Sequence, residues 1–154
     1  MSQETGGPYV QVAALCERVL QEKDGVLSLI RMIDRITISI GGSSPPEEMP
    51  PGSVNVNVVV ALKSGFVRGR HNLRIVPSSP LGKKITELSA GVLLEGDDRG
   101  VNVVMNLQMQ VKEEGLYWFE VLLEDQLLTR IPLRIVYQRL SQGRLFDPQE
   151  SSDR

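Results

Sequence analysis

The feature that most constrains this chain is the run Val101-Asn102-Val103-Val104-Met105-Asn106-Leu107-Gln108-Met109-Gln110-Val111. Large apolar side chains fall on every odd position, and amides occupy four of the five even ones. A period of two places odd and even residues on opposite faces of an extended strand, so this run is legible only as a half-buried β-strand. Val54, Val56, Val58, Val60 and Leu62 repeat the pattern against Asn55 and Asn57. So do Tyr117, Phe119, Val121 and Leu123, followed by Leu127, Thr129, Ile131, Leu133 and Ile135. No stretch carries alternating strand and helix units, which excludes a parallel α/β architecture. About eight short strands are expected, forming an all-β, two-sheet antiparallel β-sandwich of immunoglobulin-like or jelly-roll-like type.

Several segments interrupt the alternation. Residues 41–53 hold four of the nine prolines together with glycines, and read as a mobile loop. Gly96-Asp97-Asp98-Arg99-Gly100 reads as a turn, and Lys112-Glu113-Glu114-Gly115 and Glu124-Asp125-Gln126 as hairpin connections, so three consecutive antiparallel strands are expected at this end. Pro132 cannot donate to a ladder and assigns the last strand an edge position or a bulge. Between Leu29 and Ile36 the apolar parity shifts, which predicts a kink. Residues 10–22 fit a strand on Val10, Val12, Ala14 and Cys16, and equally a helix on Val12, Leu15, Cys16, Val19 and Leu20. With 154 residues, one domain at 9–138 is expected, flanked by a flexible N-terminus at 1–8 and a flexible tail at 139–154.

Charge and cysteine content narrow the function classes. Seventeen basic against nineteen acidic residues create no global field for nucleic acid or an anionic membrane. Cys16 is the single cysteine and His71 the single histidine, which rules out an intrachain disulfide and a His-rich or multi-thiolate metal site within one chain. No cofactor or metal is expected. With no signal-like or membrane-spanning apolar run, a cytoplasmic location is expected.

Ala14-Leu15-Cys16-Glu17, followed by Gly25-Val26-Leu27-Ser28-Leu29-Ile30 and Asp34-Arg35-Ile36, resembles the opening of a family of small bacterial proteins known only as a domain of unknown function. Gly115-Leu116-Tyr117-Trp118-Phe119-Glu120-Val121 and Ile131-Pro132-Leu133-Arg134-Ile135 resemble its closing hairpin, so the likeness runs over about residues 10–137. The resemblance implies a strand at residues 10–22 and implies no activity.

Candidate sites are few. From Lys63 to Lys84 there are six basic residues and no acidic one, and Arg68, Arg70 and Arg74 share a parity, forming a ladder on one outward face that could bind anions or an acidic protein. Phe66 is the one aromatic residue in that stretch, so the stacking platforms of single-strand binders are missing and nucleic acid is a minor expectation. His71 lies on the opposite parity and reads as a packed or half-exposed strand residue. Asp34 interrupts an apolar run beside Arg35 and reads as one half of a structural Asp–Arg pair. Cys16 reads as a small buried hydrophobe. Glu47-Glu48, Asp97-Asp98 and Glu113-Glu114 read as solvated turns. The expected function is a non-enzymatic binding module for a protein partner or a second copy, through a strand edge or the basic face. The rival expectations are anion or nucleic-acid binding by the arginine ladder, or an enzyme with a pocket near Asp34 and His71.

Overall fold

The computed structural model describes residues 6–141, which form seven strands. They are β1 (Tyr9–Gln21), β2 (Leu27–Met32), β3 (Arg35–Gly42), β4 (Gly52–Ser78), β5 (Leu88–Val111), β6 (Gly115–Leu123) and β7 (Gln126–Ser141). The chain is all-β, as the alternation predicts, and residues 10–21 are strand, not helix. All seven strands belong to one hydrogen-bonded network in the order β2-β1-β4-β6-β7-β3, with β5 on β4.

Seven strands stand in place of the expected eight because two pairs are fused and the segment at 26–40 is divided into β2 and β3. The segments at 54–62 and 67–75 are one strand, β4, and those at 88–94 and 101–111 are one strand, β5. The residues between them, of which 96–100 are expected as a turn, are kinks that stay paired. Gly65 (φ 61°) stands opposite Asp97 (φ 56°), next to Gly96 (φ 93°), and the register slips on either side of Gly65. Both strands bend at the same height, so the ladder bends without breaking. Ser64, fully buried at this bend, donates to the Arg99 carbonyl at 2.8 Å. The amide of Phe66 donates to Gly6 at 2.7 Å, which ties the start of the described chain to the bend.

β4 organises the molecule. Along one edge it pairs with β5 from Gly52 to Ile75. Its other edge is shared in succession by β1, at residues 57–63, and β6, at residues 73–78. The bend between these two stretches brings β1 close to β7: the Ile33 amide, just beyond β2, donates to Leu15 of β1, and a cleft of about 270 Å³ has Ala13 and Leu15 on one side and Ile131 and Pro132 on the other. One core fills the space between, with Val56, Val58, Leu62, Leu73, Ile75, Leu107, Tyr117, Phe119, Leu133 and Ile135 all under 3% exposed.

One further expectation is corrected, and two hold. The C-terminal end is not three consecutive antiparallel strands: β5 pairs with β4 alone, and β6 pairs with β4 and β7. β7 is flanked by β6 and by β3, and the β3 pairing is parallel, Arg35 opposite Arg134 through Gly42 opposite Ser141, so β7 is no edge strand but carries the other expected feature, a bulge, at Leu128. Pro132 is tolerated because β3 begins only at the level of Arg134. The Arg134 amide points toward that side, to Asp34 O at 3.0 Å, so the absent N–H of Pro132, two residues earlier, faces a side with no strand. The expected kink between Leu29 and Ile36 is real, with Arg31 at φ 57° and a break between β2 and β3.

The proline-rich segment is anchored. Its Pro46 carbonyl accepts from the Tyr137 hydroxyl at 2.7 Å, its Pro45 carbonyl accepts from Arg139 at 2.8 Å, and Met49 is buried in the core. Strand β7 continues into the segment expected as tail as far as Ser141, and the rest of that tail lies outside the described residues.

Candidate functional site

The Arg68, Arg70 and Arg74 ladder has the predicted parity, but the fold brings acids to it from distant segments. Arg68 donates to the Glu95 carbonyl at 2.6 Å and reaches Asp97 at 3.4 Å. Arg74 pairs with Glu87 at 2.5 Å, approaches Asp125 at 3.6 Å and donates to the Glu124 carbonyl. The hydrogen bond from Arg74 holds the Glu87 carboxyl below its ordinary range. Only Arg70 is left without a hydrogen bond or ion pair among the described residues. An acid-free stretch of sequence has therefore become a charge-laced surface, because β5, the connection leading into it and the turn between β6 and β7 bring carboxylates across.

His71 Nε2 lies 2.9 Å from the Arg68 carbonyl, so the ring is tied to its own strand. Asp34 departs from expectation: it is exposed, forms no ion pair among the described residues, and contributes its backbone carbonyl to Arg134. The chain bends at Asp34 as it passes from β2 to β3, and the side chain is left in solvent. Arg35, also exposed, stands opposite Arg134 in the parallel register and is no partner for Asp34. Asp34 lines the cleft between β1 and β7, and His71 does not, so among the described residues they share no cavity. Nor do three His, Cys, Asp or Glu side chains converge there as metal ligands.

Cys16 is fully buried, and desolvation pushes its thiol above the ordinary value. Thiol reagents are expected to leave native Cys16 unlabelled and to modify it fully in denaturant, with intact-mass spectrometry as the readout. Rapid labelling of the folded protein would contradict the packing.

Two features were not singled out from the sequence. The first is the outer edge of β5. Strand β5 is 24 residues long and, among the described residues, pairs on one side only. The other two terminal strands, β2 and β3, have 6 and 8 residues and carry Arg31 and Arg35. Along β5, residues 88–100 are interrupted by glycines and by Glu95, Asp97, Asp98 and Arg99, whereas residues 101–111 have no charge, no proline and no glycine. The outward face of this second half is an amide band: Asn106 donates to Asn55 at 2.7 Å and to Asn57 at 3.2 Å, and Gln108 donates to Ser53. Val104, in the middle of the band, is 42% exposed.

The second feature is a cleft of about 350 Å³ where the connection between β4 and β5 meets the turn between β5 and β6. Lys83 and Lys84 enter from one side and Lys112 from the other, above Ile85 and Tyr117. Tyr117 is buried, which pushes its phenol above the ordinary value, and it donates to the Glu113 carbonyl at 2.7 Å.

Residues 11–136 match DUF6941, a family of unknown function. The chain belongs to the DUF6941 family. The DUF6941 match takes in the charge-free half of β5 and all three cleft lysines, and it fits the resemblance seen in the sequence to a family without an assigned activity. No curated protein matches the chain. Among solved structures, a beta-glucosidase from Listeria innocua is similar at a TM-score of 0.39 and 11% identity, over 66% of this chain and 15% of that one. The same enzyme in complex with isofagomine gives the same score and identity over 86% and 17%. The chain thus spans less than a fifth of those structures, and nothing of their activity transfers to it. No helix among the described residues is long and apolar enough to cross a membrane.

Proposed function

We propose that this DUF6941 domain is a non-enzymatic interaction module whose contact is the outer edge of β5 and whose occupant is a second copy of the chain. The observation that carries the reading is the eleven-residue uncharged edge at 101–111. An unpaired edge offers a row of N–H and C=O groups to any strand that can lie beside it, and proteins ordinarily blunt such edges with charge, proline or brevity. Here the two short terminal strands are blunted by charge, and the long one is blunted only in its first half.

Self-pairing is favoured because this edge carries no charge that would repel a second copy. An antiparallel pair of β5 edges centred on Asn106 sets Asn102 opposite Gln110, Val104 opposite Gln108, and Asn106 opposite itself. No like charges meet, and the amide band of one copy continues into the other. In this reading the bent sheet acts as two facing layers around one core, with the binding edge on β5, and the buried free thiol of Cys16 fits a reducing, cytoplasmic setting.

Light scattering on the size-exclusion peak tests this. The wild-type chain is expected at twice its 17.1 kDa mass, dissociating on dilution. Asn106→Lys, which sets two ammonium groups opposite each other across the two-fold axis, is expected to give a monomer with an unchanged circular dichroism spectrum, and Val104→Lys is expected to weaken the dimer. A wild-type monomer at all concentrations would remove the second copy as occupant.

A further inference from the structure

The lysine-lined cleft lies apart from the β5 amide band and has a chemistry of its own. Four arginines, Arg31, Arg68, Arg74 and Arg99, spend their charge on carboxylates of the chain. The three cleft lysines have no ion pair among the described residues, although the chain carries more acidic than basic residues. Three lysines therefore line one concavity with a single lining carboxylate, Glu113, while Glu87, outside the lining and paired with Arg74, is felt by Lys84.

The support beneath them is built. The Ser79 amide donates to the Lys83 carbonyl at 2.8 Å, the Gly82 amide to Ser79 O at 2.9 Å, and the Lys83 amide to the Ser79 hydroxyl at 3.2 Å. The Ile85 amide donates to the Pro77 carbonyl at 3.0 Å, and Ser78 and Lys84 form an isolated bridge. Gly82 takes φ 82°, which closes this turn without a side-chain penalty. On the opposite wall, Lys112 follows directly on Val111, which is fully buried, so its backbone is held by the core. Pro80 packs against Gly115, where an added Cβ would lie 2.8 Å from the proline ring, so the two walls meet closely.

We propose that this cleft binds a phosphate-bearing small molecule. Its volume suits a small organic body. Clustered lysine ammonium groups act as point charges that suit a tetrahedral, multiply charged anion, whereas planar carboxylate recognition uses an arginine fork, and no arginine lines the cleft. Ser79 and Gln110 add hydroxyl and amide groups at the rim, and Ile85 and Tyr117 give the non-ionic part of the ligand an apolar floor.

Calorimetric titration with inorganic pyrophosphate and with phenyl phosphate tests the site. Wild-type protein is expected to bind both, with affinity falling as salt rises, and phenyl phosphate is expected to hold more of its affinity at physiological salt because the floor contributes. A Lys83→Ala, Lys84→Ala, Lys112→Ala triple variant is expected to lose affinity by about a hundredfold, and Lys112→Ala alone by about fivefold, as each removed ammonium forfeits a charge contact on the order of a kcal/mol. Arg70→Ala, which removes an arginine outside the cleft that has no ion pair among the described residues, is expected to bind as wild type does. The lysines are exposed, so the fold survives their removal, and the oligomeric state read by light scattering is expected to stay that of wild type. Equal binding by the triple variant, or an equal loss in Arg70→Ala, would overturn the proposal. Either result leaves the pairing of β5 edges untouched.

Discussion

Phe119→Ala is expected to destabilise the protein by about 3–5 kcal/mol, the largest single effect we anticipate. The ring is fully buried at the centre of β6, with Pro77 of β4 and Ile131 of β7 as its register partners. It belongs to the one core that all the long strands share, so no independent part of the molecule is spared its loss. Domains of this size are stable by about 5–15 kcal/mol in total, so a loss of that order populates the unfolded state visibly at ambient temperature. Urea unfolding followed by circular dichroism should show a lower midpoint with an unchanged slope. A shift worth less than about 1 kcal/mol would mean that the core collapses into the vacated space, and it would contradict the tight packing around this ring.

Gly65→Ala is expected to be the second most damaging substitution, by about 2 kcal/mol or more. Gly65 has φ 61°, and an added Cβ would lie 2.6 Å from the Gly6 carbonyl and 2.9 Å from the Tyr9 ring. The obstructing oxygen belongs to the backbone that receives the Phe66 amide, so relief requires breaking that bond or straightening the bend. Gly25→Ala is the matched control. Gly25 is also left-handed, at φ 85°, but has nothing within 4 Å of an added Cβ, so it carries only the conformational penalty of about 1–2 kcal/mol. Equal melting temperatures for the two variants would show that the contact at the bend contributes nothing to stability.

The bend also explains where reading the sequence went astray. Glycines with acidic neighbours at 96–100 carry every local sign of a turn, and a chain that turned there would start a new strand. Gly65 sits at the matching height on the neighbouring strand, and two kinks in register let the ladder continue through both. That coincidence depends on a pairing across about thirty residues of sequence, which no local pattern encodes. The same holds for the charges. Arg68 and Arg74 look uncompensated because their neighbours in sequence carry no acid, yet Asp97, Glu87 and Asp125 arrive from other segments. Lys112 joins Lys83 and Lys84 by the same route. Apolar neighbours in sequence suggest a paired, buried Asp34, but the bend between β2 and β3 leaves this one residue of the run in water.

What the residues determined by themselves is the extended state of the chain and the inward or outward sense of each strand position. Both follow from a period of two that every strand must obey whatever lies beside it: Val103, Leu107 and Met109 are buried and Asn102, Asn106 and Gln108 exposed. Strand order, the parallel docking of β3 on β7, the exposure of the β5 edge and the gathering of three lysines were decided only in three dimensions. Alternation states which face of a strand avoids water. It is silent on which strand lies alongside, because backbone N–H and C=O groups are alike at every residue but proline and will pair with any neighbour the packed core delivers.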